Sequence, residues 1–201
     1  MRRGLALGLT IAALPASVVA SLSLGPYQAV NFVTLIAVIL GLSHSWVSVD
    51  VIRYRALRTL AAAVLGGGLA AAGSTLQFTV RNPLADPYLT GMASGSLLGV
   101  TLALLYGRGS FVELYTSALI GGLATLAAVI AISGLAGGGA TTLLVTGVAF
   151  SYVLSGVTMF VMIELGPRLP GALYWMFGSV AFVTYGMVLK TLFIVMASVA
   201  A

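Results

Sequence analysis

Long apolar runs alternate with short polar breaks along the whole chain. The runs cover residues 5–24, 29–42, 57–80, 88–106, 111–132, 143–163 and 180–201. A helix crossing a bilayer core needs about 20 consecutive apolar residues, and all but the 29–42 run have roughly that length. The 29–42 run is shorter and suits an interfacial or re-entrant segment. The pattern predicts an all-α membrane protein, a polytopic bundle of about six transmembrane helices in one domain over 1–201. The breaks carry the chemistry of turns: Gly25-Pro26, Tyr106-Gly107-Arg108-Gly109-Ser110, and Glu164 followed by Pro167, Arg168 and Pro170. The sharpest is Arg81-Asn82-Pro83-Leu84-Ala85-Asp86-Pro87. Each proline lacks an N–H and crowds the preceding turn. Asn82, Pro83, Asp86 and Pro87 therefore mark a structural turn where the chain reverses between two helices.

Composition agrees with that picture and removes alternatives. Charged residues make up 6% of the chain, against about 25% in soluble domains. The net charge of +5 is thinly spread and builds no basic face, which argues against nucleic acid as a partner. The absence of cysteine excludes disulfides and thiolate metal sites. His44 is the single histidine; with no second ligand type nearby it reads as a surface residue, so no metal or cofactor is expected. Met1-Arg2-Arg3, an apolar run, Pro15 and small residues through Ala20 fit either a first span or a cleaved signal peptide. No phosphate-binding loop of the form Gly-x-x-x-x-Gly-Lys-Ser/Thr occurs, so ATP hydrolysis would belong to another chain. Gly91-Met92-Ala93-Ser94-Gly95 is not a Gly-x-Ser-x-Gly nucleophile elbow. The chain reads as a non-enzyme.

Small and hydroxylated residues are the remaining signal. Gly66-Gly67-Gly68, Gly73 and Gly121-Gly122 let helix backbones approach closely in lipid. Gly91, Ser94, Gly95 and Ser96 read as one small, hydroxyl-rich face early in the 88–106 run. Thr146, Ser151 and Ser155 fall at roughly helical spacing and can share a face, either wetting a pore or bonding helix to helix. The 133–142 stretch, with Thr141 and Thr142 at its end, reads as a flexible uncharged loop. Gln77 is placed to cap its helix or bond a neighbour. Glu113 faces water or pairs with Arg108. Lys190 lies mid-run and should face the bundle interior, a partner or water, or snorkel if its helix begins later. The densest charge is Asp50, Arg53, Arg55 and Arg58, which the positive-inside rule alone places in the cytoplasm.

The order Arg55-x-x-Arg58, Gly73-x-x-x-Gln77, Asn82-Pro83-Leu84-Ala85-Asp86-Pro87 and Gly91-x-x-Ser94-Gly95 resembles the signature of the FecCD/BtuC-type permeases, the membrane subunits of ABC importers for iron–siderophores, haem and cobalamin. The 143–151 stretch and Trp175-x-x-Gly178-Ser179 resemble that family's fifth helix and the short helix at its outer mouth. The resemblance implies a multi-pass protein of the cell (plasma or inner) membrane that works by alternating access. Its implied partners are an ATP-binding cassette ATPase, an extracytoplasmic substrate-binding protein, and a second permease copy or complementary chain. It implies that Arg55 and Arg58 lie outside the membrane and dock the binding protein, although Leu57 stands where the family has proline. It further implies a translocation path and gate at Gly91, Ser94, Gly95, Ser96, Thr141, Thr142, Thr146 and Ser151. Family chains are longer; this sequence matches an N-terminal part, without the last four spans. The expectation is a permease subunit or part of one, and the alternative is a truncated, non-transporting membrane scaffold.

Overall fold

Helices form wherever the apolar runs allow. The computed structural model describes residues 2–25, 31–42, 46–83 and 85–200, so His44 and Leu84 lie outside the described residues. The helices are α1 (Arg2–Ser23), α2 (Phe32–Ile39), α3 (Trp46–Val80), α4 (Met92–Leu105), α5 (Phe111–Leu135), α6 (Ala140–Glu164), α7 (Leu169–Phe177) and α8 (Tyr185–Ala200). Short 3-10 turns over Pro87–Thr90 and Gly166–Arg168 precede α4 and α7. Within α3, and in α5 and α6, Val49–Val80, Phe111–Leu135 and Ala140–Glu164 are long and apolar enough to cross a membrane. Apolar stretches of α1, α4 and α8 are shorter. The eight residues of α2 rise only about 12 Å and do not cross alone.

The described residues form two compact units: Met1–Gly68 with Val180–Ala201, and Leu69–Ser179. In the first, Leu57, Ala61 and Val188 form a small core between α3 and α8, and the Tyr54 hydroxyl donates to the Ala181 carbonyl. Ser21 Oγ and Thr59 Oγ1 share a hydrogen bond at 2.7 Å that ties α1 to α3. In the second unit, Val100, Ala103, Leu104, Leu114, Met162, Leu165 and Ala172 form the core, drawn from α4, α5, α6, α7 and the link into α7. At fourteen residues α4 rises about 21 Å. It packs against α5, α6 and α7.

Several expected boundaries move, each for a local reason. The run at 88–106 is divided, because Gly91 takes a left-handed φ of +79° between the 3-10 turn and α4. The loop expected over 133–142 contracts: α5 continues to Leu135 and α6 begins at Ala140, so Thr141 and Thr142 are helical. Gly137, Gly138 and Gly139 have φ of +96°, +67° and +96°, a left-handed series that side chains resist and glycine permits. The last run becomes helical only at Tyr185, after Thr184 Oγ1 accepts a bond from the Met187 N–H at 3.4 Å. Lys190 therefore sits in the second turn of α8, exposed, where snorkelling is short. Glu113 does not form an ion pair with Arg108 among the described residues; it closes a capping box with Ser110 at the start of α5.

Candidate functional site

The polar turn aims the site. α3 ends in a Schellman arrangement: the Asn82 N–H donates to the Gln77 carbonyl at 3.1 Å and the Arg81 N–H to the Phe78 carbonyl at 3.3 Å. Arg81 occupies the left-handed position at φ +53°, where glycine is usual. Gln77 Nε2 then reaches the Ala85 carbonyl at 3.3 Å, so this side chain braces the turn. The Asp86 carboxylate caps the next 3-10 turn, accepting from the Tyr88 N–H at 2.7 Å, and Pro87 occupies the first turn, where no N–H is needed. Thr90 Oγ1 closes that turn on the Pro87 carbonyl at 2.6 Å.

Beyond the turn, α4 lies backbone to backbone on α5. A β-carbon built on Gly95 would stand 2.6 Å from the Gly121 carbonyl oxygen and 2.7 Å from Thr125 Cβ. One on Gly99 would stand 3.0 Å from the Ser117 carbonyl carbon. One on Gly147 of α6 would stand 3.0 Å from Thr90 Cα. Gly91 faces Thr125 and Gly147 in the same way. These are close-approach positions that only glycine fits.

The opposite side of α4 opens on a cavity of about 650 Å³. Ser94 and Ser96 of α4, Ser151 and Ser155 of α6, and Trp175 and Phe177 at the far end of α7 are among its lining residues. Ser94 Oγ donates to the Gly91 carbonyl at 3.1 Å and Ser151 Oγ to the Gly147 carbonyl at 2.9 Å. Their protons are committed to their own helices, so these hydroxyls offer lone pairs to the cavity. Among the described residues no carboxylate, imidazole, ammonium or guanidinium group lines it. The wall is a neutral surface of serine hydroxyls set among apolar and aromatic neighbours, in which Ser94 and Ser151 act as acceptors and Tyr88 and Trp175 carry donors. Among the described residues no group of three or more His, Cys, Asp or Glu could hold a metal ion.

The residues expected along a path therefore divide. Ser94, Ser96 and Ser151 line the cavity. Gly91 and Gly95 do not; they serve the helix contacts. Thr141, Thr142 and Thr146 lie on α6 outside this cavity lining. Trp175 packs against the second unit's core and meets the Phe111 ring, with centroids 6.2 Å apart. Sequence reading overlooked Arg168: its Nη1 donates to the Leu104 and Leu105 carbonyls, at 3.0 Å each. The signal available in sequence was a lone cation between Pro167 and Pro170.

Arg55 and Arg58 border a separate cavity of about 350 Å³ in the first unit, with Ser21, Gly25 and Thr59. Arg55 is 8% exposed and its Nη1 donates to the Leu22 carbonyl at 2.9 Å. Arg58 is exposed, its guanidinium 5.6 Å from the centre of the Tyr54 ring.

Comparison with known proteins places these features in context. The model of the FecCD transport family matches residues 13–201. The cobalamin import system permease protein BtuC of Halobacterium salinarum is 34% identical over 123 residues, which is 61% of this chain and 33% of the relative. The ferric enterobactin transport system permease protein FepD of Escherichia coli is 38% identical over 127 residues, 61% of this chain and 37% of the relative. A solved structure of a protein assigned to the metal-chelate type of ABC transporter, in an inward-facing conformation, superposes with a TM-score of 0.70 at 31% identity. That superposition covers 93% of this chain and 57% of the other. The matched regions span well under half of the two named permeases.

Proposed function

The chain belongs to the FecCD transport family and is a multi-pass membrane protein; on that premise we propose that it supplies part of the permease of an ABC importer for iron–siderophore, haem or cobalamin-type chelates. The observation that carries this reading is the neutral serine-and-aromatic cavity between α4, α6 and α7. A chelate whose ligands already mask its metal needs no charged wall to pass, only room and hydrogen-bond acceptors. Chemistry on the cargo is not required: the work is a change of access, driven by ATPase subunits on separate chains. Ser94, Ser96 and Ser151 form the path in this conformation, and the glycines hold the helices that carry it.

The proposed setting is the cell membrane, with an ATP-binding cassette ATPase, a substrate-binding protein and a second permease copy or complementary chain. Of the two arginines expected to dock the binding protein, Arg58 is the one presented, and a planar guanidinium suits bidentate pairing with a carboxylate. Arg55 supports it from below by fixing the end of α1 to α3. The test is affinity purification of the tagged chain from solubilised membranes. Recovery with an ATPase subunit and further permease helices is expected. Recovery of this chain alone, under conditions that keep other ABC importers assembled, overturns the proposal.

A further inference from the structure

Arg168 lies outside the apolar core and outside the cavity wall, yet it joins the two. It ends the 3-10 turn that leads into α7. Its Nη1 bridges the Leu104 and Leu105 carbonyls, at 3.0 Å each. These carbonyls end α4, where the macrodipole is negative, so a cation is well placed; the Leu104 carbonyl accepts the Gly107 N–H at 3.1 Å as well as the guanidinium. The guanidinium also lies over Gly107, where a β-carbon would come within 3.6 Å of Nη2. From this anchored start α7 leads to Trp175, Met176, Phe177 and Gly178, which at its far end form one wall of the cavity. Phe177 is 80% exposed there. Glycines with positive φ and open space around them stand on either side of α7: Gly178 at +70° directly after it, and Gly166 at +52° at the start of the 3-10 turn that precedes it. This short helix is held by apolar packing through Leu169, Ala172 and Trp175 and by one charged clamp at its start.

We propose that Arg168 is a positioning residue that holds α7 across the serine-lined cavity, so that releasing its clamp on the end of α4 raises access to that cavity. Packing through Leu165 and Ala172 keeps α7 folded on the bundle when the clamp opens; what changes is how often its far end, with Trp175, leaves its packing on the core and the Phe111 ring. Glutamine at this position lacks the charge and the fork. Lysine keeps the charge but offers a single point donor in place of a planar one. The consequence for transport rests on the cavity being part of a path. The experiment reads access alone, so the latch and the transport reading can fail separately.

The chain has no cysteine, so single-cysteine probes need no background removal. Ser151→Cys places a thiol in the cavity wall. Gly134→Cys places one near the end of α5 with nothing within 4 Å. Each is made in the full chain with and without Arg168→Gln, and the rate of reaction with N-ethylmaleimide is measured in membranes. The clamp predicts that Arg168→Gln speeds modification at Ser151→Cys about tenfold, leaves Gly134→Cys within about twofold, and that Arg168→Lys falls between. An unchanged rate at Ser151→Cys overturns the proposal. So does an equal rise at both probes, because that would be a general loosening of the bundle. Where Arg168→Gln does not accumulate, Arg168→Lys carries the test: about a threefold rise at Ser151→Cys supports the clamp, and no rise overturns it.

Discussion

Gly121→Ala should unseat the central helix pair of the second unit. A β-carbon at Gly121 would overlap the Gly95 carbonyl oxygen, and would lie 3.1 Å from its carbonyl carbon and 3.3 Å from Gly99 Cα. All three atoms are backbone, so no rotamer change relieves the contact. Carbon atoms rest about 3.5–4.0 Å apart, so α4 and α5 must separate by roughly 1 Å. A gap of that size forfeits a quarter to a half of the dispersion well of each contact it opens, here along the line of Gly95 and Gly99 against Ser117 and Thr125. Overpacking of this kind costs about 1–3 kcal/mol, and the lost contacts add to it. Alanine returns up to about 1 kcal/mol of helix propensity. The net expectation is a destabilisation of about 2 kcal/mol, or a Tm lowered by about 4–8 °C at this chain length. The assay is thermal unfolding of the detergent-solubilised chain by circular dichroism. Gly156→Ala is the control, since Gly156 lies in the middle of α6 with nothing within 4 Å of an added methyl. It should raise Tm by a few degrees, through propensity alone. If Gly121→Ala unfolds at or above the wild-type temperature, the backbone-to-backbone packing of α4 on α5 is refuted.

Substitutions at four further positions separate local roles by the same unfolding assay. Arg55→Ala removes a buried guanidinium from the Leu22 carbonyl and should cost about 1.5–3 kcal/mol, whereas Arg58→Ala removes only an exposed contact with Tyr54, worth about 0.5–1 kcal/mol; equal losses would remove the distinction between them. Asp86→Ala deletes the cap on the Tyr88 N–H and should cost about 1 kcal/mol, with Asp86→Asn retaining most of it. Arg81→Gly relieves a left-handed backbone position at φ +53° and should stabilise by about 0.5–1 kcal/mol, because relief of β-carbon strain exceeds glycine's added chain entropy; a loss of stability would mean that the Arg81 side chain contributes more than its backbone strain.

The helices and the reversal at Asn82–Pro87 were legible because their signals are local. Proline, the aspartate cap and the length of an apolar run act over a few residues, and α5 and α6 lie close to the runs that marked them. What sequence misplaced depends on partners distant along the chain. Glycines at 137–139 read as part of a ten-residue loop, yet three successive residues at positive φ suffice to turn the chain, and helix reclaims Thr141 and Thr142. Arg55 and Arg58 looked like a matched pair because residues three apart on a helix stand only about 60° from one another; spacing does not show where the edge of the packed face falls, and here it runs between them, so that one enters the packing while the other stays outside. Arg168 was invisible for the opposite reason. Its acceptors, Leu104 and Leu105, are carbonyls more than sixty residues away, which no side-chain pattern announces.

The stretch from Gly91 to Val100 shows why small residues mislead when read as one class. At about 100° per residue, Gly91, Gly95 and Gly99 gather within about 80° of arc, while Ala93, Ser94, Ser96, Leu97 and Val100 centre on the opposite side. The glycine side meets α5 and the foot of α6 through backbone atoms. The serine side borders the cavity, with Ser96 at its edge, where its Oγ also lies against Gly122 of α5. In sequence the two sets interleave and read as one hydroxyl-rich face; on the helix they have different neighbours and different tasks. A methyl group satisfies neither: it is too large where backbones touch, and it lacks the lone pairs that the serines turn toward the cavity. The division links stability to the proposed path through a single short helix. Because α4 is fixed on one side by contacts that tolerate no added carbon, the serines on its other side hold their positions through bonds to their own helix and its packing, which leaves the cavity neutral.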